Sequence, residues 1–390
     1  MASTHIRPVT LALQGGGSLG AFAWGVLDRL LDEPSLRIEV VSGTSAGALN
    51  AAMLAQGLAQ GAAEGAARKT AQGDAEGAAE GDAEGSAPGG ATGGSEAGRA
   101  EAKRLLETLW RRVAVASGSP DLPGGAWLHA FGGMLAPMLE AIRRTHRGLA
   151  VAANAGPLSV NPLRGILDGL LDPSAFGTPG APTLVVSATR VRTGEARLFR
   201  DREVTAEALL ASACLPQIFQ AVEIEGEAYW DGGYSSNPPV RPLIEAGAPP
   251  DVLIVRTGPV ERPEVPNASE AVLSRAAEIG FDAALRHEIG SVATAQRLLD
   301  GVRADTVPLR RLREARLHMI GAEEAFRALR QGSALDSSWA FLRQMRALGV
   351  ESADRWLAAN LDSVGRRSTF DLDGFAGPSL GAAWPALAAE

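Results

Sequence analysis

Ser45 stands at the centre of Gly43-Thr44-Ser45-Ala46-Gly47, where an apolar run (Ile38, Val40, Val41) gives way to helix formers, Ala46 to Gln56. That order reads as strand, tight turn and helix. A serine on such a turn has its hydroxyl thrust outward, and Gly43 and Gly47 remove side chains that would collide there. The first amides of the following helix, with its positive dipole end, favour negative charge developing beside the serine. The chemistry this permits is nucleophilic attack by a hydroxyl. The same residues can also make an ordinary turn that caps a helix, with Thr44 or Ser45 as N-cap.

A second group lies upstream. Val9 to Leu13 reads as a short buried strand that runs through Gln14-Gly15-Gly16-Gly17-Ser18-Leu19-Gly20 into a helix, Ala21 to Leu31. Consecutive glycines turn the backbone sharply and leave bare N–H groups, an anion-binding nest. Gly15, Gly17 and Gly20 also satisfy G-x-G-x-x-G, a dinucleotide fingerprint that expects an acid at the far end of the next strand, about 20 residues on. Glu39 sits at that strand's start, and its far end carries Ser42-Gly43-Thr44-Ser45. The nest therefore reads better as an oxyanion hole built from Gly15, Gly16 and Gly17.

A third candidate follows a hairpin, Val222 to Ile224 and Ala228 to Trp230 across Glu225-Gly226-Glu227, which delivers Asp231-Gly232-Gly233. An acid at a strand end, held by two glycines in a tight open loop, suits a catalytic carboxylate. An Asp-Gly turn is the plainer alternative.

These groups need a fold that brings strand ends together. The chain has 390 residues, 46% of them apolar, ample for a sizeable core. A net charge of −8 and a pI near 5.4 argue against a nucleic-acid partner. The single cysteine, Cys214, excludes an intramolecular disulfide and fits a reducing, cytoplasmic compartment. The polar stretch Met1 to Pro8 has no signal-peptide character, and no run of about 18 apolar residues is present to span a membrane. No metal-ligand cluster of His, Cys or carboxylates has useful spacing, so neither a metal nor another cofactor is expected.

Residues 61 to 100 repeat small and acidic residues, as in Gly73-Asp-Ala-Glu-Gly, and hold no large apolar side chain. They read as a disordered insertion without secondary structure. Leu105 to Val115 is helical. Residues 122 to 142 are apolar and glycine-interrupted (Trp127, Phe131, Met134, Met138), either core or an acyl-chain lining that could rest on a membrane peripherally. A helix is expected over Leu158 to Leu171 and another over Val204 to Ala213, with strands at Thr183 to Thr189, Ala196 to Phe199 and Val252 to Arg256. Beyond Val260 helices dominate: Ser269 to Leu299, Leu335 to Leu348 and Ser352 to Val364, with a strand at Leu317 to Ile320. This region is expected to pack on the sheet within one domain, residues 8–365. Residues 366–390 read as a loose tail.

Taken in order, the Gly15-Gly16-Gly17-Ser18-Leu19-Gly20 loop, Gly43-Thr44-Ser45-Ala46-Gly47 and Asp231-Gly232-Gly233 resemble the patatin-like phospholipase family. The intervening Ser212-Ala213-Cys214-Leu215-Pro216 and the trailing Asn237-Pro238-Pro239-Val240 share the likeness, which covers residues 8 to 256 without the insertion. The resemblance implies an α/β fold with a mostly parallel central sheet and helices on both faces. It also implies acyl transfer by a Ser–Asp dyad without histidine, with Ser45 the nucleophile, Asp231 its base and the glycine amides the oxyanion hole. Many members carry a basic residue where Leu19 stands, which puts phospholipid head-group preference in doubt. The rival Ser-Asp-His order needs a late histidine. Only His287, inside a helical pattern, and His318, inside a strand pattern, follow Asp231, and both read as structural. The expected activity is hydrolysis of a lipid ester. The alternatives are another acyl ester, thioester or hydroxyalkanoate oligomer on the same dyad, or a Rossmann-like nucleotide-binding protein using Gly15, Gly17 and Gly20.

Overall fold

The computed structural model describes residues 6–77, 95–118, 161–301, 306–329 and 333–376. Its centre is one eight-stranded sheet. The strands are β1 (Arg7–Leu13), β2 (Leu36–Thr44), β3 (Thr183–Arg190), β4 (Ala196–Arg200), β5 (Val222–Ile224), β6 (Glu227–Asp231), β7 (Asp251–Val255) and β8 (Arg316–Ile320). They lie in the order β5-β6-β3-β2-β1-β7-β8, with β4 also paired to β3. The run β3-β2-β1-β7-β8 is parallel, while β4 and β6 pair with β3, and β5 with β6, in antiparallel fashion.

A parallel sheet must be covered on both faces, and the side-chain alternation shows that it is. On β1, Val9, Leu11 and Leu13 enter one core while Ala12 enters a second; on β7, Leu253 and Val255 enter the first, and Val252 and Ile254 the second. The first core is closed by α1 (Gly20–Leu30), α2 (Ala46–Gly77), α3 (Glu96–Ala116), α4 (Leu163–Leu167) and α5 (Ala206–Ser212). The second is closed by α6 (Arg241–Ala246), α7 (Ser269–Leu298) and α8 (Val307–Glu314). Beyond β8, α9 (Glu323–Ala328) and α10 (Trp339–Asn360) return to the first core, and α11 (Leu372–Ala376) to the second. The result is the three-layer, mostly parallel α/β arrangement expected from the sequence.

The helix α10 packs backbone to backbone on α1. A Cβ on Gly25 would run into the Arg346 carbonyl, and one on Gly349 into the Phe22 carbonyl. Arg346 also pairs with the buried Asp28 at 2.5 Å. The two helices expected at Leu335 to Leu348 and Ser352 to Val364 are therefore one, continuous through Gly349, whose missing side chain permits the close approach.

Three other boundaries differ from expectation. The helix after Ser45 continues through Gly77 into the stretch expected to lack structure, and at Gly61 it packs so closely on α3 that a Cβ would strike the Gly98 backbone. Across from it, α3 begins at Glu96, with Ser95 accepting the Gly98 N–H at 3.1 Å. The expected loose tail opens with α11, whose Phe375 is buried beneath Arg256 and Arg286. The middle of the expected insertion (78–94), the apolar stretch 122–142, the start of the helix expected at 158–171, and residues 377–390 lie outside the described residues.

Candidate active site

The strands act as a ruler for the site. In the parallel register Leu13 of β1 lies beside Gly43 of β2, so the glycine loop and the Ser45 turn leave the sheet at the same edge. One strand further, Thr44 pairs with Ser187 of β3, and the next β3 residue, Ala188, pairs with Asp231 of β6. Ser45 and Asp231, far apart in sequence, thus leave the sheet next to one another.

Ser45 is partly exposed and holds a left-handed backbone, φ 55°. For a residue with a Cβ this conformation is strained, and its presence at a strand-to-helix turn is the geometry that projects a hydroxyl outward. The turn is tight enough that a Cβ on Gly43 would strike the Gly47 carbonyl, and one on Gly47 the Leu13 carbonyl. The Ser45 N–H is held at 2.9 Å by the hydroxyl of Ser212, a fully buried residue at the end of α5.

Asp231 is fully buried. Its Oδ1 accepts the Gly233 N–H at 2.8 Å. Burial pushes its pKa up to about 7, against the opposing pull of the Gly233 N–H and the Ser45 hydroxyl. Oδ2 is buried and has no hydrogen-bond partner among the described residues. The backbone N–H of Asp231 is fixed to the Cys214 carbonyl at 2.8 Å, and its carbonyl accepts from Thr189 at 2.8 Å. The loop after it is equally constrained: a Cβ on Gly232 would meet the Ser187 carbonyl, and one on Gly233 the Phe281 ring of α7. The arrangement offers a poised hydroxyl and a carboxylate able to accept a proton near neutral pH.

The glycine loop sits against Ser45. A Cβ on Gly15 would lie 2.8 Å from the Ser45 Cβ, and one on Gly20 would lie 2.6 Å from that of Ala46. Its three amides are not equivalent. The Gly15 N–H donates to Asn237 Oδ1 at 2.7 Å and is spent inside the protein. Gly16 and Gly17 donate to no acceptor among the described residues and reach the surface. Of the three amides expected to line an oxyanion hole, that of Gly15 is bound by the buried Asn237 carboxamide, which leaves those of Gly16 and Gly17 open. Gly17 has φ 58°, and a Cβ there would lie 2.5 Å from the Ala334 carbonyl. Leu19 is partly buried against the main core.

Two further side chains brace the loop. Asn237 also donates from Nδ2 to the Phe281 carbonyl at 3.2 Å, linking the loop to α7. Thr257, just past β7, donates its hydroxyl to the Gly15 carbonyl at 2.7 Å, and its N–H to Gln14 Oε1 at 3.0 Å. Asn237 and Ser212 are visible in the sequence only as neighbours of stronger motifs. Thr257 has no local signature; its one signal is its place at the carboxyl end of a strand beside β1.

Both late histidines lie elsewhere. His318 is buried in the sheet between Asp251 Oδ1 and Thr369 Oγ1, each at 3.1 Å. Asp251 begins β7, at the opposite end of the sheet from the site. Burial raises its pKa, but His318, Arg316 and the Gly365 N–H outweigh this and hold it well below the usual carboxylate range. His287 is exposed on α7. Among the described residues no group of three His, Cys, Asp or Glu is placed to hold a metal ion, and no helix is long and apolar enough to cross a membrane.

No curated protein matches the chain. Among solved structures, VipD from Legionella pneumophila is similar at 14% identity and a TM-score of 0.36, over 90% of this chain and 67% of that one, a likeness too loose to argue from. The family model described as patatin-like phospholipase matches residues 11–244, which take in the end of β1 with its glycine loop, the Ser45 turn and the Asp231 loop. The chain belongs to the patatin-like phospholipase family, whose members are lipid acyl hydrolases.

Proposed function

We propose that this protein hydrolyses lipid carboxylic esters through a Ser45–Asp231 dyad and a covalent acyl-serine. One observation carries the reading: the β2–β3–β6 register sets a strained, outward serine beside a buried carboxylate whose pKa is raised to about 7. Ser45 Oγ attacks the ester carbonyl while Asp231 takes its proton. The carbonyl oxygen becomes an oxyanion facing the Gly16 and Gly17 amides, where each donor is worth about 3 to 4 kcal/mol in comparable acyl-transfer enzymes. Collapse expels the alcohol, which regains the proton from Asp231. Water then attacks the acyl-Ser45 ester with Asp231 again accepting a proton, and the acid leaves with Ser45 restored.

The same dyad serves thioesters and hydroxyalkanoate oligomers. The apolar Leu19, rather than a cation, beside the loop leaves the head group open. A lipid substrate would bring the protein to membranes peripherally. The nucleotide-binding reading is disfavoured, because the loop amide nearest the strand is spent on Asn237 and the adjoining strand ends in Ser45.

The test is fluorophosphonate labelling together with turnover of p-nitrophenyl esters of increasing acyl length. The parent should label and turn over. Ser45→Ala should lose labelling, Ser45→Ala and Asp231→Asn should both lose turnover, and His287→Ala/His318→Ala should keep it. A folded parent that neither labels nor cleaves any ester would overturn the proposal.

A further inference from the structure

The Gly15–Gly16 peptide is held more firmly than its sequence suggests. Its carbonyl accepts the Thr257 hydroxyl at 2.7 Å, in a buried environment. The preceding peptide is fixed by Asn237 through the Gly15 N–H at 2.7 Å. A trans peptide is planar, with its C=O and N–H pointing in opposite directions. The Gly15 carbonyl and the Gly16 N–H share that plane. Whatever fixes one fixes the other.

Strand order gives the direction. β1 lies between β2 and β7. Thr257 follows β7 on one side, and Ser45 follows β2 on the other. A Gly15 carbonyl turned toward Thr257 therefore turns the Gly16 N–H toward the Ser45 side. That N–H has no acceptor among the described residues. A hydrogen bond to the carbonyl also polarises the peptide and strengthens its N–H as a donor. We propose that Thr257 is a positioning residue: by holding the Gly15 carbonyl it aims the Gly16 N–H at the oxyanion that forms on Ser45. Thr257 lies outside residues 11–244, the span of the family match. The inference rests on the acyl-hydrolase reading above.

The test compares Thr257→Val, which keeps the shape and removes the hydroxyl, with Thr257→Ser, which keeps the hydroxyl. Thr257→Ala removes the same hydroxyl and serves if the valine variant does not fold. The valine variant should lose roughly ten- to a hundredfold in kcat with KM little changed, less than deleting an oxyanion donor outright. The serine variant should recover most of the loss. Affinity for an alkyl trifluoromethyl ketone, whose adduct with serine carries an oxyanion, should fall in parallel with kcat/KM. The pH midpoint set by Asp231 should stay in place, since the hydroxyl does not touch the carboxylate.

Parent-like kcat in folded Thr257→Val would overturn the proposal. So would a fall in kcat that spares ketone affinity, or one that serine does not rescue. An inactive, unlabelled parent would instead sink the acyl-hydrolase reading itself.

Discussion

Asn237 Oδ1 accepts the Gly15 N–H at 2.7 Å across 222 residues of chain, and its Nδ2 reaches the Phe281 carbonyl at 3.2 Å. One buried carboxamide thus ties the glycine loop beside Ser45 to α7, whose Phe281 ring packs on the Gly233 that caps Asp231. Asn237→Ala leaves the buried Gly15 N–H without its acceptor, at a cost of about 1 to 3 kcal/mol. The expected outcome is a fall in Tm with lower ester turnover in the protein that remains folded. Thermal melts and single-turnover kinetics at a temperature well below the new Tm read the two effects separately.

The raised pKa of Asp231 gives the activity a direction in pH. Its proton must be absent for it to act as a base, so kcat/KM should climb with pH and level off above about 7. A midpoint near 4, the value of an ordinary exposed carboxylate, would contradict a desolvated base.

The same shift sets a stability cost. The folded pKa lies above the unfolded one, so the unfolded chain releases this proton first. Stability is therefore lost as pH rises from about 4 to 7, by up to about 4 kcal/mol from this group alone. Asp231→Asn should melt higher than the parent at pH 8 and lose that advantage near pH 4, while its turnover is abolished. Denaturant melts at the two pH values decide it; an unchanged difference would show that the carboxylate is not desolvated in the folded protein.

Ser45 holds φ 55°, a conformation glycine adopts without strain. Both Ser45→Ala and Ser45→Gly should be inactive, but the glycine variant should be more stable than the alanine variant, by roughly 1 kcal/mol. Equal melting temperatures would mean that the turn carries no strain.

The contact of α10 with α1 admits no side chain at Gly25. Gly25→Ala should cost about 1 to 3 kcal/mol or more, as overpacking against backbone does, despite alanine's better helix propensity. Gly349→Ala should behave alike. Circular dichroism melts would show it, and a gain in stability in either variant would refute the close crossing.

Much of the site is legible in the sequence because its parts are local. A serine between glycines after an apolar run, three glycines after another, and an Asp-Gly-Gly after a hairpin each bend the backbone in a way set by a few neighbouring residues. Strand and helix periods then give the α/β class. The long helix after Ser45 was not legible, since alanine-rich repeats with many glycines read equally as solvated chain. The continuity of α10 through Gly349 was not legible either, because the partner that needs a glycine there, the Phe22 carbonyl, lies 327 residues back in the chain.

The sequence by itself determined the chemistry on offer: a hydroxyl on a tight turn, a carboxylate on a glycine hinge and a loop of bare amides. Only the tertiary structure decided how they meet. The β3 register sets Asp231 beside the Ser45 turn, burial raises the carboxylate's pKa, and Asn237 takes the Gly15 N–H while Thr257 holds the Gly15 carbonyl. The physical reason is that desolvation and hydrogen-bond partnership depend on what lies within a few ångströms in space, and these neighbours come from strands and loops widely separated along the chain.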